Sequence, residues 1–135
     1  MYFFNELSGY YDSALLALRV AVGASFLAHG LMKRGMWRMQ PSAEMPVGML
    51  NMMRFLSIVE PLGALAVLAG FLTQYAAIGF GLIMLGAIYF KTQKWGKTFA
   101  GDGGWELDLL LLASAIVLLL GGAGNVSIDA RLLQI

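Results

Sequence analysis

Four apolar runs, each close to the length that crosses a bilayer, are separated by short stretches rich in glycine, proline and charge. A hydrocarbon core of about 30 Å takes roughly 20 helical residues. The runs Ser13 to Lys33, Met52 to Phe71, Thr73 to Phe90 and Gly104 to Leu120 fit that measure. The pattern predicts an all-α fold, a four-transmembrane-helix bundle that forms a single domain over residues 1–135. Arg34 to Pro46 reads as a basic, methionine-rich loop, Gly70 to Gln74 as a tight reversal, and Lys91 to Gly103 as a second polar loop. The stretch Met36 to Leu50 suits either a short interfacial helix or a plain loop, its Trp37 and methionines fitting the headgroup boundary. Internal repetition is weak at the level of residue identity. Glycines spread through the spans, among them Gly23, Gly30, Gly63 and Gly70, allow close helix packing.

Composition sharpens the class. Hydrophobic residues make up 59% of the chain and charged ones 13%, and the mean hydropathy is +0.74, far more apolar than a soluble domain. A net charge of +1 lacks the basic excess that a phosphate backbone requires, so nucleic acid is excluded as a partner. With no cysteine the chain has no thiol chemistry, no iron–sulfur ligands and no covalent haem attachment. A single histidine, His29, excludes bis-histidine haem within one chain. Glu6 and Asp12 stand where a signal peptide would carry lysine or arginine, and no Ala-x-Ala-like site follows, so the first helix is expected to be retained.

Basic loops stay cytoplasmic. The loop after the first span holds Lys33, Arg34, Arg38 and Arg54 against Glu44, and the loop after the third holds Lys91, Lys94 and Lys97 against Asp102. The other side holds Glu6, Asp12, Asp129 and Arg131. Both termini are therefore predicted to be extracytoplasmic.

Ionisable residues inside a span are costly and mark a bundle interior, a partner or a cavity. Here they are Arg19, His29, Lys33, Glu60, Glu106 and Asp108, and these six are the candidate ligand-binding residues. Three helices bring His29, Glu60 and Glu106 toward one leaflet, with Lys33 one turn beyond His29, so these groups are expected to share one polar cavity. Lys33 also suits an interfacial anchor, and Glu106 and Asp108 suit a helix N-terminus, where carboxylates meet the positive dipole end. Glu60 stands directly before Pro61, which removes a backbone donor at that point of the helix. Arg19, in the outer half of the first span, reads either as an anchor for an anionic or carbonyl-bearing ligand or as a partner of Asp12. A metal site of His29, Glu60 and Glu106 has too weak a spacing signal to be assigned, and no residue is given a catalytic role.

Leu18-Arg19 through Phe26-Leu27-Ala28-His29-Gly30-Leu31-Met32-Lys33 resembles the first helix of the DoxX family. Glu60 with Gly63 and Gly70-Phe71-Leu72-Thr73 resembles its second helix and turn, Met84 falls in its third, and Gly103-Gly104-Trp105-Glu106 resembles the opening of its fourth. The resemblance runs from about Leu15 to Asp129. It implies a small four-helix protein of the bacterial or archaeal cytoplasmic (inner) membrane, linked in a few members to quinone-coupled sulfur oxidation or oxidative-stress complexes. The basic loop from Arg34 to Pro46 and Pro61 beside Glu60 depart from the family pattern.

Two functions compete. In the first, the chain is a redox-linked subunit that binds a quinone or similar lipophilic ligand in a polar intramembrane pocket, with His29 donating to a carbonyl, Glu60 relaying protons, Lys33 or Arg19 stabilising negative charge, and a partner redox subunit supplying electrons. In the second it is a noncatalytic accessory or assembly subunit of a membrane complex, or a homo-oligomer, whose buried charges fix one helix arrangement. A small transporter is a third reading, disfavoured because four short helices would have to oligomerise to enclose an alternating-access site.

Overall fold

The computed structural model describes residues 8–133; Glu6 lies outside them. Four α-helices follow one another: α1 (Tyr11–Met32), α2 (Val47–Ala69), α3 (Thr73–Tyr89) and α4 (Glu106–Gly121). A 3₁₀ turn, Lys33–Trp37, extends α1, and a π-helical turn, Phe90–Lys94, extends α3. No strand occurs among the described residues. With these extensions, the first three helices are long and apolar enough to cross a membrane. The fourth has 16 residues, about 24 Å at the helical rise, and is shorter than the other three.

The expected helix limits shift where local chemistry dictates. α2 starts at Val47 rather than Met52 because Pro46, with its fixed φ, supplies the position before the first helical residue. No interfacial helix fills Met36 to Leu50; after the 3₁₀ turn the chain bends over residues 43–45, where the Ser42 hydroxyl accepts from the Met45 amide. α2 continues through Pro61. It ends at Gly70, whose φ of +67° is the left-handed conformation that glycine adopts most readily.

α1 packs along α2, and α3 along α4, so the chain is two antiparallel hairpins set side by side. α1 buries Leu15, Arg19, Val22 and Phe26, and α3 buries Thr73, Ala77, Phe80 and Met84. Both sets repeat at intervals of four, three and four. α2 buries Ser57, Glu60, Ala64 and Val67, and α4 buries Asp108, Leu111, Ala115 and Leu118, both at intervals of three, four and three. The repetition that residue identity hides is therefore plain in the burial pattern. Between the hairpins Phe26 stacks on Phe80, with ring centroids 3.6 Å apart, and Gly63 leaves the space that the Phe80 ring occupies. Gly30 does the same for Pro61: a methyl group there would overlap the proline ring.

Candidate functional site

The bundle has a loop end, carrying residues 33–46 and 90–105, and a terminal end, carrying the Gly70 reversal and the C-terminal segment. Its ionisable residues do not form the single expected cluster. Lys33 and Glu60 pair, with Nζ at 2.5 and 2.6 Å from the two carboxylate oxygens, and Glu60 is fully buried. Asp108 pairs with Lys91 at 2.6 Å, and the same ammonium donates to the Gly104 carbonyl. His29 and Glu106 are exposed and join neither pair. Among the described residues no three histidine, aspartate or glutamate side chains gather as a metal would require.

The helical register explains the correction. The buried stripe of α1 runs Leu15, Arg19, Val22, Phe26, Gly30, steps whose mean is a little longer than the helical period of about 3.6 residues, so the stripe drifts around the helix. It passes through Gly30 toward Lys33 and leaves His29 on the flank. α4 buries Asp108, Leu111, Ala115 and Leu118, and Glu106, two residues before Asp108, lies about 200° around the helix from it.

Arg19 has a different task from those expected. It is buried, and its guanidinium donates to four carbonyls: Val67 at 2.9 Å, Leu68 at 2.9 Å, Ala123 at 2.8 Å and Val126 at 2.7 Å. The first two belong to the last turn of α2, where carbonyls run short of helical donors, although Val67 also accepts from the Gly70 amide, and the others belong to the C-terminal segment. Asp12 does not meet Arg19; it accepts from the backbone and side-chain amides of Asn125. Asp129 accepts from the Leu72 and Thr73 amides at 2.7 and 3.0 Å, capping α3 from a distant part of the chain. Those bonds help to hold Leu72 at φ +49°, a conformation unusual for leucine.

A lateral groove of about 540 Å³ opens at the loop end, between the 3₁₀ turn and the outer face of α2. Its polar end is made by Arg34, Trp37 and Ser57, and its floor by Ile58, Pro61, Leu62 and Leu65. The volume falls within the range of about 300–1,000 Å³ usual for small-molecule sites. The indole of Trp37 donates to Ser57 Oγ at 2.9 Å, and the Ser57 hydroxyl donates to the Arg54 carbonyl at 2.6 Å. The Arg54 guanidinium donates to the Met36 and Met39 carbonyls and lies 5.8 Å from the Trp37 ring centre. These contacts fix the indole as a wall. Pro61 joins the groove to the ion pair, since the buried Glu60 precedes it. Sequence reasoning missed Trp37, Ser57 and Lys91 as parts of a site; the available signal was the spacing Lys33 to Trp37, repeated as Lys91 to Trp95.

A family model, DoxX, matches residues 14–93, a stretch that takes in α1 from Ala14 onward and the whole of α2 and α3. No curated protein and no solved structure matches the chain.

Proposed function

The chain belongs to the DoxX family and is a small integral membrane protein, and from that premise we propose that it is a noncatalytic subunit that takes a bilayer-borne amphiphile into its lateral groove. In this reading α4 spans with the other three helices. The loop end faces the cytoplasm, because its loops carry most of the lysines and arginines, and the membrane is the bacterial or archaeal inner membrane. The observation that carries the proposal is the groove: a polar end at interfacial level continues into an apolar floor that opens sideways to lipid. The charged residues support an accessory role, since Arg19, Lys33, Glu60, Lys91 and Asp108 are bonded within the chain.

A second reading, a quinone as the amphiphile with electrons supplied by a partner redox subunit, draws on one observation. Glu60 directly precedes Pro61, which lines the groove, so a carboxylate lies one residue from the wall against which a quinone head would rest. His29, on the flank of α1, takes no part in it.

Organic extraction of the purified protein distinguishes these readings. The proposal expects one amphiphile per chain, lost when Leu62→Trp fills the groove. Stoichiometric quinone in the extract would select the redox reading, and the absence of any retained amphiphile would contradict both. Orientation is tested separately by a cysteine added after Ile135, which an impermeant reagent should label in intact cells.

A further inference from the structure

Bond accounting at the polar end of the groove points to the charge of its occupant. The Trp37 N–H is taken by Ser57, the Ser57 O–H by the Arg54 carbonyl, and Arg54 by the Met36 and Met39 carbonyls and Asn51. Arg34 is the remaining polar side chain there. It is exposed, and among the described residues no carboxylate lies within ion-pair distance of it. No acidic residue lines the groove. The end thus offers a positive charge and a planar set of N–H donors but no negative charge, which is the complement of a phosphate.

The floor has the matching geometry. Ile58, Leu62 and Leu65 form one stripe on the exposed face of α2. From Ser57 to Leu65 the groove runs about 12 Å along the helix, away from the loop end and into the apolar span. Trp37, 55% exposed beside Arg34, suits the headgroup boundary. A cation at headgroup depth above an apolar track is the shape of an amphiphile with a charged head.

Resting on the groove reading above, we infer that the occupant is a single anionic phospholipid, its phosphate held by Arg34 beside Trp37 and one acyl chain lying along Ile58, Leu62 and Leu65.

Native mass spectrometry of the full chain tests this. The protein is purified in detergent, stripped of lipid, and titrated with phosphatidylglycerol or with phosphatidylcholine of the same acyl chains. The first phosphatidylglycerol should bind about fivefold more tightly, the effect of one basic side chain on an anionic head. Arg34→Gln should remove that preference, Arg38→Gln outside the groove should retain it, and glycerol phosphate, which has no chains, should not displace the lipid. Equal binding of both lipids to the unaltered protein, a preference that survives Arg34→Gln, or displacement by glycerol phosphate overturns the inference. If Leu62→Trp weakens both lipids in the same experiment, the groove reading survives that failure. If Leu62→Trp leaves both lipids unaffected, the groove reading fails as well. A dimer that dissociates on Leu62→Trp without any change in lipid binding would assign the groove to a second copy of the chain.

Discussion

The two hairpins bury their helices in the same register and close at the same end with a lysine–carboxylate pair, but they place the acid differently. In α4 the acid is Asp108, the first residue of the buried stripe, in the opening turn under the 95–105 loop. In α2 the corresponding position is Ser57, and the acid, Glu60, is one turn deeper. That single turn has two consequences. Lys33 is drawn inward onto a fully buried carboxylate, and Ser57 is freed to fix Trp37 as the wall of a groove. The pair in α3–α4 closes a helix entrance, whereas the pair in α1–α2 stands beside a groove on the outer face of α2. Similar charges in similar folds therefore carry different weight according to depth, which is where a low dielectric makes a lost partner expensive.

Disruption of the Arg19 knot should have the largest effect, and it removes the terminal end from the comparison altogether. Arg19→Leu takes the guanidinium from four carbonyls; Val67 keeps the Gly70 amide, and each of the others costs about 1–3 kcal/mol if it remains buried and unpaired. No monodisperse protein should be recoverable in size-exclusion chromatography, and Arg19→Lys should restore part of the yield.

The ion pairs come next and sharpen the contrast directly. Lys33→Met leaves the fully buried Glu60 carboxylate without its partner and should cost about 3–5 kcal/mol, while adding Glu60→Leu should recover most of the loss. Lys91→Met should cost about 1 kcal/mol, because Asp108 lies in the first turn of α4, where the positive end of the helix dipole still favours a carboxylate. Thermal unfolding in detergent checks the order; equal shifts would erase the distinction between the hairpins.

Smaller effects follow from packing and capping. Gly30→Ala pushes a methyl into the Pro61 ring and should cost about 1–3 kcal/mol. Gly79→Ala meets nothing within 4 Å and should be neutral or slightly stabilising. Asp129→Ala removes the cap of α3, worth about 0.5–2 kcal/mol, and the same unfolding assay should place it below Gly30→Ala and above Gly79→Ala.

How much of this was legible beforehand depended on whether a feature is local in sequence. The helices were legible, because apolar length is a property of contiguous residues, and so was the DoxX resemblance through Leu18 to Lys33. That Arg19 and Glu60 face the bundle interior was legible from the cost of placing a charge in lipid. Their partners were not. Arg19 binds backbone carbonyls from residues 67–126, which any sequence could offer. The expected union of His29, Glu60 and Glu106 treated depth as sufficient, whereas the angle around each helix decides contact. His29 lost its place through a drift of the buried stripe that only the packed structure displays. Lys91 was read as a loop residue because the π-helical turn that aims it at Asp108 has no pattern of its own.

The central claim is that the first hairpin, and not its counterpart, holds an amphiphile beside its ion pair. Leu62 in α2 and Ala113 in α4 occupy equivalent exposed positions in the shared register, so the same bulky substitution can be made at both. Lipid extracts of the purified variants, quantified by mass spectrometry, are the direct measurement. The account predicts that Leu62→Trp loses the stoichiometric amphiphile while Ala113→Trp retains it; equal retention, or equal loss, in the two variants would contradict it.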